Sequence, residues 1–290
     1  MEKIEKLNPK YIKNLVEVAL NEDVNTSDIT TRNLLPPTQR IAAKIIAGET
    51  GVVCGLTVAK EVFKALDRKC VWRSKFKDGK RIKKGQAVAV VEGFARALLT
   101  GERTAVNFLS HLSGIATLTR KFADRARNSR VGIYDTRKTL PGLRMMEKYA
   151  VRCGGGVNNR SSLDEMVIVK DNHIKACIKL GLPIEQVVKS LFTKVPRGTE
   201  IEFEAENIRE VALAIQCDVD TIMLDNMPYR TMQRAVKLIR KSKKDVRIEV
   251  SGKMNLGIIK KILRLDIDKV SIGSITHSAP AIDFSMEISG

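Results

Sequence analysis

Residues 200–226 read EIEFEAENIREVALAIQCDVDTIMLDN, and this stretch decides the fold. Residues 200–203 form a short strand-like run ending on Glu204, and residues 221–224 form a second one ending on Asp225 and Asn226. Between them, residues 208–216 place apolar side chains at helical spacing. A helical crossover of this kind returns the chain to the same end of a sheet, so the two strands can pair in parallel. The unit recurs on both sides. Residues 131–134, 166–169, 247–250 and 269–272 read as further strands, and 230–241 and 256–265 as further helices. The class is α/β with parallel strands, arranged as a barrel or as a doubly wound sheet.

Every one of these strands ends in polar residues or glycine. They are followed in turn by Asp135-Thr136-Arg137-Lys138, Lys170-Asp171-Asn172-His173, Glu204, Asp225-Asn226, Ser251-Gly252 and Gly273-Ser274. In parallel α/β folds the C-terminal strand ends face one common site, so these residues are expected to converge. Helix caps and turns also favour Asp, Asn, Ser and Gly, which accounts for Asn226 or Ser251 taken alone. It does not account for Lys138, Lys170, Glu204 and Asp225 at equivalent places. Arg137, Lys138, Arg160 and Lys170 supply cations for carboxylates or phosphates. Glu204 and Asp225 offer hard oxygens of the kind Mg²⁺ takes while it keeps waters and shares a phosphate. Ser251-Gly252 and Gly273-Ser274 close the last two strands, where barrels commonly seat phosphate. The set points to group transfer involving a polyphosphate. No Walker sequence is present, and Gly154-Gly155-Gly156 follows a helix-like stretch rather than a strand, which weakens a dinucleotide reading.

Upstream the pattern is different. Asn8-Pro9 opens a helix with apolar residues at Ile12, Leu15, Val16, Ala19 and Leu20. Short β-rich runs at 41–47, 51–54 and 87–91 surround a helix-like stretch at 57–66, and a long helix is expected over 97–128. This is a smaller α/β sandwich-like unit. The chain has 290 residues, 43% of them hydrophobic, which suits one large domain or two modest ones. No run approaches the length of a membrane span, and nothing at the start reads as a signal peptide, so a cytoplasmic protein is expected. Five cysteines without C-x-x-C spacing are expected as free thiols. The net charge of +18 fits an anionic substrate or partner. Nucleic acid is disfavoured, because 4% aromatic content leaves few stacking platforms.

Taken together, the motifs resemble the quinolinate phosphoribosyltransferase family. The resemblance is carried in order by Glu22-Asp23, Ser27-Asp28-Ile29-Thr30, and Glu102-Arg103-Thr104-Ala105-Val106-Asn107 running into Ser113-Gly114-Ile115. It continues through Asp135-Thr136-Arg137-Lys138-Thr139-Leu140-Pro141-Gly142-Leu143-Arg144 and Lys170-Asp171-Asn172-His173. Glu202-Phe203-Glu204, Met223-Leu224-Asp225-Asn226, Val250-Ser251-Gly252 and Ser271-Ile272-Gly273-Ser274 complete it, so it covers nearly the whole chain.

The resemblance implies an open (β/α) barrel with an N-terminal α/β sandwich domain. The expected division is residues 1–112 for the sandwich, 113–275 for the barrel, and 276–290 as a tail packing on the sandwich. It implies joining of quinolinate and phosphoribosyl pyrophosphate with loss of pyrophosphate and CO₂, with Mg²⁺ as cofactor, in a homodimer with shared sites. Arg103 is the arginine implied to reach across that interface. Arg137, Arg160 and Lys170 are implied to grip the pyridine dicarboxylate, with Lys138 nearby. Lys138, Lys170, Glu204 and Asp225 are the implied catalytic group, and Glu204 and Asp225 also the metal pair. Ser251, Gly252 and Gly273 match the 5′-phosphate seat. Two positions depart from the family pattern. Asn159 stands where His is usual, and Asn carries neither a proton nor a charge. Lys253 stands where a second Gly is common, able to meet phosphate or solvent. Two other readings are a related pyrophosphorylase acting on another anionic ring acid, and a nucleic-acid-binding protein on a retired enzyme fold.

Overall fold

The computed structural model describes residues 7–242 and 244–289, which form two compact units. The first takes the residues up to Arg120, then Leu140–Gly155 and the stretch from Ser278; the second takes Lys121–Thr139 and Gly156–His277. Helix α1 (Pro9–Val24) begins at Asn8, whose Oδ1 accepts the Lys10 N–H at 2.8 Å, and it buries Ile12, Val16 and Leu20 along one face. After α2 (Ile29–Leu34) come β1 (Arg40–Ala47), β2 (Gly51–Val52), α3 (Leu56–Leu66), β3 (Val71–Arg73), β4 (Arg81–Ile82), β5 (Ala87–Phe94) and the long α4 (Ala95–Ala126). Strand β1 pairs antiparallel with β5, and Trp72 on β3 stacks 6.1 Å from Phe63 on α3.

The chain then alternates. Strand β6 (Gly132–Tyr134) is followed by α5 (Arg144–Gly154) of the first unit, then β7 (Val167–Val169), α6 (Asp171–Lys179) and α7 (Ile184–Lys194). Next come β8 (Ile201–Ala205), α8 (Ile208–Gln216), β9 (Thr221–Asp225), α9 (Tyr229–Lys241) and β10 (Arg247–Ser251). Then α10 (Ile259–Ile262), β11 (Lys269–Ser271) and α11 (Ser274–His277) close the second unit. Strand β12 (Phe284–Ile288) adds to the edge of β1 in the first unit, giving the order β12-β1-β5-β3.

The second unit carries six strands in the order β6-β11-β10-β9-β8-β7, and every neighbouring pair is parallel. No pairing joins β6 to β7 among the described residues, so the barrel is open along that seam. Val157 takes the vacant edge of β6: its N–H donates to Ile133 O at 2.8 Å, and its carbonyl accepts from the Asp135 N–H at 3.1 Å.

Alternation along the strands separates two faces. Ile201, Phe203, Ile222, Leu224, Ile248, Val250 and Val270 are fully buried and form the apolar face. The helices meet such a face with the buried stripes Val211 and Ala214 on α8 and Ala235, Val236 and Ile239 on α9. The opposite face is polar: Glu202 and Glu204, Asp225, Glu249 and Ser251, Lys269 and Ser271.

The helix expected over 256–265 is cut down to α10. Asn255 Oδ1 accepts the N–H groups of Gly257 and Ile258 at 2.9 and 3.1 Å, a turn that competes with helix until Ile259. The strand expected over 51–54 stops at Val52, because Cys54 N–H donates to Ser113 Oγ rather than to a neighbouring strand. No helix among the described residues is long and apolar enough to cross a membrane.

Candidate active site

A cavity of about 330 Å³ opens at the C-terminal ends of the parallel strands. Arg137, Lys138, Asn159, Arg160, Lys170, Glu204, Asp225 and Ser251 all lie on its wall, with Thr136, Ile168, Met223, Glu249 and Ser271. Segments spread from Thr136 to Ser271 in sequence thus meet in one place, as their positions after successive strands require.

Each side chain is placed by its strand end. Lys170 follows β7 and starts α6; its N–H donates to His173 Nδ1 at 3.0 Å, so His173 serves as a cap. Lys170 Nζ donates to Glu204 Oε2 at 2.8 Å. Asp225 ends β9, and Asn226 Nδ2 donates to its Oδ2 at 2.6 Å. The chain then turns through Asn226 in the left-handed region, at φ 50°. Lys138 is fixed through its backbone: its N–H donates to Thr136 Oγ1 at 3.0 Å and its carbonyl accepts from Thr276 Oγ1 at 2.7 Å.

Two glycines make room here. A Cβ on Gly252, at φ 120°, would lie 2.6 Å from Asn226 Oδ1 and 2.9 Å from Asn226 N. A Cβ on Gly273 would lie 2.8 Å from Lys138 Cδ, so the lysine stem runs over the bare glycine. Gly273 therefore shapes the wall through Lys138, and neither glycine lines it. Lys253 is exposed and lies off the wall. Arg103 is exposed on α4 in the first unit.

The two arginines are only partly partnered. Arg160 Nη1 donates to Met166 O at 2.8 Å, while the buried Nε atoms of Arg160 and Arg137 have no hydrogen-bond partner. Burial, then the charge of Arg137, hold the Arg160 guanidinium below its ordinary range against the pull of Glu202 and Glu165. Such a pair is arranged for an anionic guest.

Beneath lies a buried ionic layer. Lys269 Nζ sits 2.9 Å from Glu202 Oε2 and 2.6 Å from Glu249 Oε2, with both carboxylate side chains fully buried. Burial would lower Lys269, but Glu249 and Glu202 outweigh it and raise the ammonium above its usual range. Burial, then the charge of Glu249, push the Glu202 carboxyl up to about 8.

Glu204 and Asp225 come from neighbouring strands, and no group of three or more His, Cys, Asp or Glu side chains converges among the described residues. This donor set does not make a closed metal cage. It fits Mg²⁺, which takes one or two carboxylates and completes its shell with water and phosphate oxygens.

The sequence reading missed Ile168, Met223, Glu249 and Ser271 on the wall. Each stands two residues before a strand-end position already singled out, so the strand period would have found them. His111, on α4, pairs with Glu147 Oε1 at 2.9 Å within the first unit.

Residues 28–113 match the family pattern described as Quinolinate phosphoribosyl transferase, N-terminal domain, and residues 115–287 match its C-terminal domain. A protein of Synechocystis named probable nicotinate-nucleotide pyrophosphorylase [carboxylating] is 40% identical over 269 residues, covering 93% of this chain and 90% of its own. A protein of the same name from Bacillus subtilis is 36% identical over 282 residues, covering 97% and 95%. The crystal structure of NadC from Streptococcus pyogenes superposes with a TM-score of 0.90 at 38% identity, covering 99% of this chain and 100% of that one.

Proposed function

The chain belongs to the quinolinate phosphoribosyl transferase family, and we propose that it converts quinolinate and phosphoribosyl pyrophosphate to nicotinate mononucleotide, pyrophosphate and CO₂. This is the decarboxylating step that supplies a pyridine nucleotide to NAD synthesis. The observation that carries the reading is one cavity in which Arg137, Lys138, Arg160 and Lys170 meet Glu204 and Asp225.

The chemistry follows from charge. Quinolinate brings two carboxylates, which suit Arg137 and Arg160, whose Nε atoms are unpartnered. The ring nitrogen forms a bond to C1 of the ribose as the C1–O bond to pyrophosphate breaks and its electron pair leaves with the pyrophosphate. Lys138 and Lys170 stabilise the leaving oxygens, and Glu204 and Asp225 face the positive charge that develops on the sugar. Mg²⁺, held by Glu204 and Asp225, would offset pyrophosphate charge when bound. The product nitrogen is cationic, so the electron pair of the bond to the C2 carboxylate can flow into the ring. CO₂ leaves, and C2 then takes a proton. Transfer therefore precedes decarboxylation.

The protein acts in the cytoplasm as a homodimer in which Arg103 completes the site of the other copy. Mixed dimers of Arg103→Ala and Lys170→Ala chains would then recover activity that neither variant has alone; no recovery in confirmed mixed dimers would refute sharing. The reading itself is tested by identifying the product. Mass analysis after incubation with quinolinate, phosphoribosyl pyrophosphate and Mg²⁺ is expected to find nicotinate mononucleotide. A nucleotide that keeps both carboxylates would contradict it.

A further inference from the structure

Asp135 is fully buried at the tip of β6, yet the chemistry above gives it no task. Its carboxylate turns to the open seam of the barrel. Oδ1 accepts the Asn159 N–H at 2.7 Å, and Oδ2 accepts Asn158 Nδ2 at 2.6 Å. Both partners lie on the segment that begins at Val157, the residue bridging the free edge of β6. The same segment continues into the cavity wall: Asn159 Oδ1 accepts the Arg160 N–H at 3.0 Å, and Arg160 Nη1 reaches Met166 O at 2.8 Å. On the other side, Asp135 is followed directly by Thr136, Arg137 and Lys138, which also line the cavity. One carboxylate thus joins the two backbone segments that carry Arg137 and Arg160.

We propose that Asp135 is a positioning residue that fixes the spacing of Arg137 and Arg160 across the open seam, and so sets affinity for the ring dicarboxylate. This rests on the function proposed above. Three features support it. Parallel strands elsewhere in this sheet are held by continuous ladders, whereas the segment at 157–160 has two backbone bonds to β6, followed by the bonds that Asn158 and Asn159 make to the Asp135 carboxylate. A charged acceptor makes stronger and more directional bonds than a neutral one, which suits a clamp on a loop. A bidentate guest also tolerates little change in the separation of its two cations, because both contacts weaken together. The spacing of two arginines bears on capture of the acid, whereas Lys138, Glu204 and Asp225 face the sugar and its leaving group. Loss of the clamp is therefore expected to fall on one substrate.

The test compares Asp135→Asn with the exchanged pair Asp135→Asn/Asn158→Asp, in which the hydrogen bond is restored with donor and acceptor reversed. Steady-state kinetics and hydrogen exchange of the Asn159 amide are measured on each full-length protein. Asp135→Asn is expected to raise the KM for quinolinate about tenfold, with kcat and the KM for phosphoribosyl pyrophosphate changed by about twofold or less. It is also expected to speed exchange at Asn159. The exchanged pair should recover most of the KM and of the protection. A wild-type quinolinate KM in Asp135→Asn, or an exchanged pair no better than the single variant, would overturn the proposal. Should Asp135→Asn fail to fold, the exchanged pair is judged alone: quinolinate KM and Asn159 protection near wild type support the clamp, and loss of either overturns it. Should the wild type fail to use quinolinate, the function reading falls by itself, and unchanged Asn159 protection in Asp135→Asn would then overturn the clamp.

Discussion

Lys170 Nζ stands 2.8 Å from Glu204 Oε2, at the tips of the adjacent parallel strands β7 and β8. The lysine side chain is 46% exposed and the glutamate 10%, so the pair faces the cavity rather than the core. With the lysine end screened by solvent, such a half-exposed pair contributes about 1 kcal/mol to stability. Its place in the cavity is therefore a matter of function. Lys170→Ala is expected to lower kcat by about 10²–10³-fold while the thermal midpoint stays near wild type. Near-normal turnover in a folded variant would remove Lys170 from the site.

Arg137 offers its guanidinium to the cavity with Nε unpartnered. A hydrogen bond to a charged group contributes about 1.5–3 kcal/mol. Arg137→Ala should therefore raise the quinolinate KM by about 10–100-fold. The KM for phosphoribosyl pyrophosphate should move much less. Equal effects on both substrates would place Arg137 elsewhere in the reaction.

The two glycines make opposite predictions. At Gly252 a methyl group meets Asn226 backbone at 2.9 Å and the φ of 120° is itself costly, so Gly252→Ala should destabilise the fold by about 1–3 kcal/mol. At Gly273 the obstacle is Lys138 Cδ, the middle of a flexible side chain, at 2.8 Å. Gly273→Ala should move that lysine and lower kcat with little loss in thermal midpoint. Denaturant unfolding with kinetics on both variants separates the two cases.

The Glu202–Lys269–Glu249 layer gives a pH signature. With Glu202 pushed up to about 8, the folded protein keeps a proton there that the unfolded chain releases in the ordinary carboxylate range. Between those limits the folded state binds more protons, so this group's contribution to stability falls as pH rises toward 8 and is level above it. Glu202→Gln should flatten that part of the profile, measured as the urea midpoint against pH. A variant profile parallel to wild type would contradict the assignment. Lys269→Met alone should cost about 3–5 kcal/mol, because it leaves the buried Glu249 without its cation.

Much of this was legible in the amino-acid order. The run 200–226 predicts β8, α8 and β9 because apolar period and strand-end polarity change together there. Strand ends alone place Lys138, Lys170, Glu204, Asp225 and Ser251 on one wall. The buried layer was not legible, because Glu202, Glu249 and Lys269 inside strands look like solvent-facing positions until the barrel folds them inward. The clamp at Asp135 was hidden for a related reason: its partners Asn158 and Asn159 join it through an irregular segment that has no period. Asn159 shows the limit of reading by resemblance. Its amide oxygen is turned back to the Arg160 N–H, a task visible only in three dimensions.

The coupling of two products gives the most direct measurement. Quinolinate labelled at its C2 carboxylate, with phosphoribosyl pyrophosphate and Mg²⁺, is expected to release labelled CO₂ and pyrophosphate in equal amounts. Pyrophosphate released with nicotinate but not with quinolinate, or no release from either, would contradict it.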